Sequence, residues 1–357
     1  MVTSPAALSP GFRAGLRTTG QPIHKSSAYG RLPICVAMFL AFAVAAASQS
    51  AREHQEPISP VSPVETIDMA KIALGEALFR DTRLSRHETV ACTSCHRLDE
   101  GGDDGRARSV GADGRLLDFN SPTVFNAALS FRLNWRGNFR GLEEQNEAVL
   151  FDPSLMNTSW EELLPRLRGE PAYTDGFAAA YGSAPDRENV LDALAAFQRS
   201  LVTPDARFDR YLRGERSALT AEEVRGYELF KDYGCVACHQ GRNVGGNLFQ
   251  KFGIFANPFA RQETRSDGDL GRFTITGQER DRHVFRVPSL RNVALTAPYF
   301  HDGRTASLAQ AVKIMAGSQL GRELPDPDIR SIVSFLNTLT GEYRGAPKAR
   351  ERNGPQP

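Results

Sequence analysis

The stretches "ACTSCH" at residues 91–96 and "GCVACH" at residues 234–239 constrain this chain more than any other feature in it. Each sets two cysteines three positions apart and follows the second with a histidine. Together they use four of the five cysteines in 357 residues. A structural zinc site would place its two Cys pairs about 15 to 20 residues apart, and Cys92 and Cys235 are separated by far more than that. Two local disulfides would suit an oxidising compartment, but they leave His96 and His239 without a reason. A thioredoxin-like redox pair wants a βαβ setting, whereas the flanks here read as helices. Covalent attachment of c-type haem accounts for all six residues, because two thioethers hold the porphyrin and the adjacent histidine reaches the iron. The expectation is two haem c groups, one on Cys92, Cys95 and His96 and the other on Cys235, Cys238 and His239.

The fifth cysteine, Cys35, lies in "LPICVAMFLAFAVAAA" at residues 32–47, behind a segment that carries Arg13, Arg17, Lys25 and Arg31 and no acid. Basic, apolar and small-residue regions in that order form a secretory signal, so residues 1–50 are expected to be a cleaved signal peptide and the mature protein periplasmic. An uncleaved anchor is the alternative, and the run is short for a bilayer span. The prolines of "EPISPVSPVE" suit an extended spacer over 51–65 with no packed core, so folded structure should begin near Thr66. Lys+Arg 43 against Asp+Glu 42 leaves a formal charge of +1, and less once the basic leader is removed. That balance gives no footprint for nucleic acid.

The flanks of the two motifs repeat. "GEALFRD" (75–81) precedes the first and "GYELFKD" (226–232) precedes the second. Thr220 and Glu223 make a capping box for the second of these helices, and further capping boxes are expected at Thr158/Glu161 and Ser307/Gln310. Residues 185–202 and 326–341 have helical apolar spacing, while strand signals are short and few. The expected fold is mainly α, with two cytochrome-c-like haem domains related by internal duplication. One spans 66–203 and the other 204–341, a boundary lies in the polar stretch 203–220, and 342–357 is a polar tail.

"NSPTVFNA" (120–127), "FRVPSLRNVALTAPYFHDG" (285–303) and the two haem motifs resemble the bacterial dihaem cytochrome c peroxidases, over nearly all of the chain after Thr66. That superfamily also holds the dihaem enzyme that matures methylamine dehydrogenase by oxidising a protein. For the C-terminal haem the resemblance implies His239 and Met315 as iron ligands. The protein-oxidising relative has a Tyr ligand there, and a core Met is the plain alternative for Met315. The N-terminal haem would have His96 as its proximal ligand and an open face. Many family members block that face with a His from the loop before "NSPT". The equivalent position here is Ala112 and the loop has no His, which predicts an accessible haem in the oxidised protein. His87 is the nearest alternative ligand, although a loop His is ordinarily solvated.

Peroxide cleavage needs a proton carrier and a polar stabiliser, which the family supplies as a Glu and a Gln. The Gln matches Gln145, but the Glu falls on Leu155, leaving Glu144, Glu147 or water to stand in, unless both Glu residues form a solvated helix face. Trp135 matches the inter-haem Trp, with an ordinary buried aromatic as the alternative. Asn120, Thr296 and Pro298 match a calcium site, and His301 reads as a structural hydrogen-bonding residue. The resemblance therefore implies a periplasmic oxidoreductase that reduces hydrogen peroxide to water with electrons from a small cytochrome c or copper protein, and it suggests a homodimer. The competing readings are an enzyme that oxidises a partner protein through a high-valent haem state, and a dihaem electron carrier without catalysis.

Overall fold

A computed structural model describes residues 56–63, 68–259, 266–344 and 346–347. The predicted signal peptide with Cys35, the ends of the proline-rich stretch, Thr66 and the last ten residues lie outside the described residues. No described helix is long and apolar enough to cross a membrane.

The chain is mainly α, as expected, and builds two apolar cores. The first takes α1 (Met69–Arg80), α2 (Leu142–Phe151), α3 (Trp160–Arg168), α4 (Pro171–Tyr181) and α5 (Arg187–Ser200). Asp68 caps α1 by accepting from the Ala70 and Lys71 amides, and Asp186 caps α5 through the Asn189 amide. Leu74, Leu78 and Phe79 of α1 are buried against α5, which contributes Ala193, Leu194 and Phe197. The second core uses α6 (Arg207–Leu212), α7 (Ala221–Asp232) and, after the single-turn α8 (Phe273–Thr276), α9 (Leu308–Met315) and α10 (Asp326–Asn337). Tyr227 and Phe230 of α7 pack there with Ile332 and Phe335 of α10. Among the described residues the strands are two short antiparallel pairs, β1 (Phe249–Lys251) with β2 (Val284–Arg286) and β3 (Glu342–Tyr343) with β4 (Ala346–Pro347).

The Thr220/Glu223 capping box forms on both sides, and Ser307 accepts from the Gln310 amide. The box expected at Thr158/Glu161 does not form. The Thr158 amide is committed to the Leu150 carbonyl at 2.9 Å, so the chain enters α3 one residue later, with Ser159 as N-cap.

Three further expectations need correction. Residues 56–61 are not a bare spacer, because Ile58 and Val61 are each 1% exposed and Ile58 belongs to the second core. The segment is pinned by backbone as well: the Gly241 amide donates to Pro57 O at 2.8 Å and the Val61 amide to Asp209 Oδ1 at 3.2 Å. The stretch 203–220 is core material as much as boundary. It forms α6, where Phe208 is fully buried and Asp209 pairs with Arg291 at 2.7 Å, out of contact with water. The start of the polar tail folds back: Tyr343 packs on the first core, edge-on to Phe125 with ring centroids 5.1 Å apart, and Arg344 pairs with Glu76. In each case a few apolar side chains in a polar, proline-bearing stretch found a core to enter.

Candidate functional site

Each Cys-Cys-His motif is one tight turn. The amides of Cys95 and His96 both donate to Cys92 O, at 3.2 and 2.9 Å, and those of Cys238 and His239 to Cys235 O, at 3.2 and 3.0 Å. That turn brings both thiols and the imidazole to one side. All four cysteines are free of disulfides.

The two histidines are held alike. His96 Nδ1 lies 3.1 Å from Gly102 O and His239 Nδ1 lies 3.3 Å from Val244 O. A carbonyl can only accept, so Nδ1 carries the proton and Nε2 keeps its lone pair for a metal. Burial keeps both imidazoles neutral, pushing His239 down to about 4 and lowering His96. Burial likewise pushes the Cys92 thiol up to about 12 and that of Cys235 to about 11. Phe79 and Phe230, the phenylalanines of the repeated heptapeptides, each stand 6.4 Å from the histidine of their motif, centroid to centroid. Close approach by the chain is needed at Gly245, where a Cβ would come 2.2 Å from Pro288 O and 3.3 Å from His239 Nδ1.

Both motifs open on one cavity of about 750 Å³. Free thiols, a metal-ready imidazole and apolar walls at both ends suit a pair of covalently held porphyrins. Met315, the last residue of α9, lines the same cavity as His239. Ala112, Gln145 and Leu155 share its wall with His96. The Ala112 amide donates to Ser154 O at 3.1 Å, which pins the loop before "NSPT" to the turn that carries Leu155. Gln145 donates from Nε2 to Asn134 Oδ1 at 2.5 Å.

The two stand-in acids face elsewhere. Glu144 is exposed and accepts from the Arg140 amide at 3.0 Å, and Glu147 takes bonds from Arg187 and Trp160. Arg187, followed by Trp160, holds the Glu147 carboxyl below its usual range. Neither lines the cavity, whose lining instead includes Asp113, Asp118 and Asp152. His87 is exposed.

Trp135 lines the same cavity and packs in an apolar group with Phe252, Phe285, Phe300 and Met315. Its Nε1 donates to Asn120 O at 2.8 Å. Asn120, Thr296 and Pro298 all border the cavity, and the Asn120 side-chain nitrogen Nδ2 donates to Arg106 O at 2.7 Å, which leaves Oδ1 as the group's acceptor. His301 is a buried structural residue, as read from the sequence: Nε2 donates to Asp269 Oδ1 at 2.8 Å and its ring stacks on Phe285. Asp269, His301 and Asp302 could together surround a cation, but Arg304 already occupies that role at 3.4 Å from Asp269 and 2.7 Å from Asp302.

The match to known proteins is extensive. A family model described as di-haem cytochrome c peroxidase matches residues 69–217. Cytochrome c551 peroxidase of Nitrosomonas europaea is 41% identical over 276 residues, which cover 77% of this chain and 80% of that one. The chain belongs to the dihaem cytochrome c peroxidase family.

Cytochrome c peroxidase Ccp of Escherichia coli is 42% identical over 277 residues, yet the match spans 59% of that longer protein. Among solved structures, a MauG-like protein associated with microbial copper homeostasis superposes with a TM-score of 0.69 at 31% identity, over 80% of this chain and 93% of the other. Membership of the family implies two c-type haems, and the two motif turns and their shared cavity have the residues to hold them. Asn134 and Arg286, which the sequence patterns do not mark, also line the cavity. Their only signal was adjacency, Asn134 to Trp135 and Arg286 to the valine-proline pair.

Proposed function

We propose that this chain is a periplasmic dihaem peroxidase that reduces hydrogen peroxide to water with electrons from a small cytochrome c or copper protein. The observation that carries the reading is the single cavity that both motifs line, with Trp135 and Met315 in its wall. Bound haem iron supplies one-electron chemistry and, where a coordination position is open, a place for the oxidant. His96 and His239 would hold the irons through Nε2. Met315 would complete the second, a thioether that favours electron reception; its presence, where the protein-oxidising relative has Tyr, favours peroxide reduction over oxidation of a partner protein.

Ala112 presents no ligand to the His96 side, so the site is ready without prior reduction. Gln145, held by Asn134, would orient the oxidant. Leu155 can carry no proton. We assign that part to Asp152, which lines the same cavity, holds the Leu155 amide through its carbonyl at 3.0 Å and accepts from the Ser154 amide through Oδ1 at 2.8 Å. Asn120 Oδ1 with the Thr296 and Pro298 carbonyls would hold calcium, hard oxygen donors of the kind that ion takes. The haem domains 66–203 and 204–341 would descend from a duplication. In support, Gly75 and Gly226 of the repeated heptapeptides meet the facing helix in the same way, each 1.9 Å from a carbonyl if given a Cβ.

The test is the initial rate of peroxide reduction by the fully oxidised dihaem protein with a reduced small cytochrome as donor. Turnover without a reductive lag is expected, with a loss of kcat of about 100-fold in Asp152→Asn and a loss of rate on chelation of calcium. Resting low-spin spectra at both haems, or a lag abolished only by pre-reduction, would refute an open His96 side.

A further inference from the structure

Two arginines of "FRVPSLRN" are buried, and they are satisfied in opposite ways. Arg291 has Asp209 at 2.7 Å. Arg286, 7% exposed on β2, has no carboxylate in ion-pair range among the described residues. Its Nε donates to Asn134 O at 3.1 Å and its Nη1 makes a long contact of 3.4 Å with Val287 O. The side chain lines the cavity shared by the haem motifs. Burial lowers its pKa to about 10 with no acid opposing the fall, so it remains a cation at neutral pH. An isolated cation in such a place is strongly unfavourable. A chain that keeps one there keeps it for a guest that brings negative charge.

Haem brings two propionate carboxylates, and a guanidinium is the group best shaped to meet a carboxylate with paired hydrogen bonds. The position is also fixed from behind. The Arg286 amide donates to Trp135 O at 2.9 Å, and Asn134, which accepts from Arg286 through its carbonyl, accepts from Gln145 through its side chain. Arg136, on the other side of Trp135, lines the same cavity with Nη1 on Thr274 Oγ1 at 2.8 Å.

We propose that Arg286 is the counter-cation of a haem propionate and that it anchors that carboxylate beside Trp135, between the two haem motifs. This rests on the dihaem reading of the chain. Because the cation favours the more reduced haem, its loss lowers the potential of the haem it serves.

The experiment uses the holoprotein with Arg286→Gln and Arg286→Lys, each first assayed for two haems per chain. Midpoint potentials of both haems and the propionate bending bands in resonance Raman spectra are then recorded. The expected result for Arg286→Gln is a shift of one haem toward the oxidised form, by tenfold or more in its reduction equilibrium, with a displaced propionate band. Arg286→Lys keeps the charge without the fork, so it should retain most of the potential and still displace the band; it also serves if the Gln variant fails to fold. Unchanged potentials and bands in a dihaem Arg286→Lys or Arg286→Gln protein would overturn the proposal alone. A wild-type chain that takes up no haem would overturn the dihaem reading and the proposal with it.

Discussion

Gly75 and Gly226 show how much a single missing atom can decide. Each sits inside a helix, where glycine ordinarily costs about 1 kcal/mol relative to alanine, yet a Cβ would fall 1.9 Å from Ala193 O at the first site and from Ser331 O at the second. The helices α1 and α5, and α7 and α10, therefore approach at a distance only glycine permits. We expect Gly75→Ala and Gly226→Ala each to destabilise the holoprotein by about 1–3 kcal/mol in chemical denaturation, overpacking outweighing the propensity gain. A gain of about 1 kcal/mol in either variant, the value propensity alone predicts, would show that the close contact is not there. The consequence reaches the site, because the same helices carry Phe79 and Phe230, the rings beside His96 and His239.

At the scale of elements, α6 is the least obvious piece of the fold. Six residues long and half of them charged, it buries Phe208 and sends Asp209 inward to Arg291, with both charged side chains out of contact with water. Arg291 also donates to Arg242 O at 2.9 Å and to Ser59 O at 3.0 Å. One buried guanidinium thus ties together α6, the loop after the second haem motif and the segment at 56–61. Removing one partner of such a pair leaves a bare buried charge, at a cost of about 3–5 kcal/mol. Asp209→Ala should lose that much in equilibrium unfolding, while the double change Asp209→Ala with Arg291→Met should recover part of it. A single variant within 1 kcal/mol of the parent would mean that the pair is not dry.

Over the described molecule, segments near its two ends are exchanged between the cores. The segment near Ile58, which precedes the first haem motif in sequence, completes the second core. Tyr343, which follows the second, packs on the first. Between them Thr203 bonds Asn126 at 2.8 Å and Asn292 at 3.0 Å, joining residues that flank the two lobes. Ile58→Ala should cost about 2–5 kcal/mol, the usual price of emptying a buried isoleucine site. The loss should be read first in the absorbance and circular dichroism of the His239 haem, since that is the core being opened. Equal and simultaneous loss at the His96 haem would show instead that the two lobes unfold as one unit.

The chemistry of this chain was written in short local patterns. The spacing of Cys92, Cys95 and His96, repeated at Cys235, Cys238 and His239, dictates a turn that needs no distant partner, and the caps at Thr220 and Ser307 are equally local. What no local pattern carried was satisfaction at a distance. Whether Arg286 or Arg291 meets a carboxylate, whether Glu144 and Glu147 face a cavity or solvent, and whether a proline-rich segment stays in water all depend on residues far away in sequence. Burial and pairing are properties of the assembled packing, because the cost of removing a group from water is set by whatever surrounds it once the chain has closed.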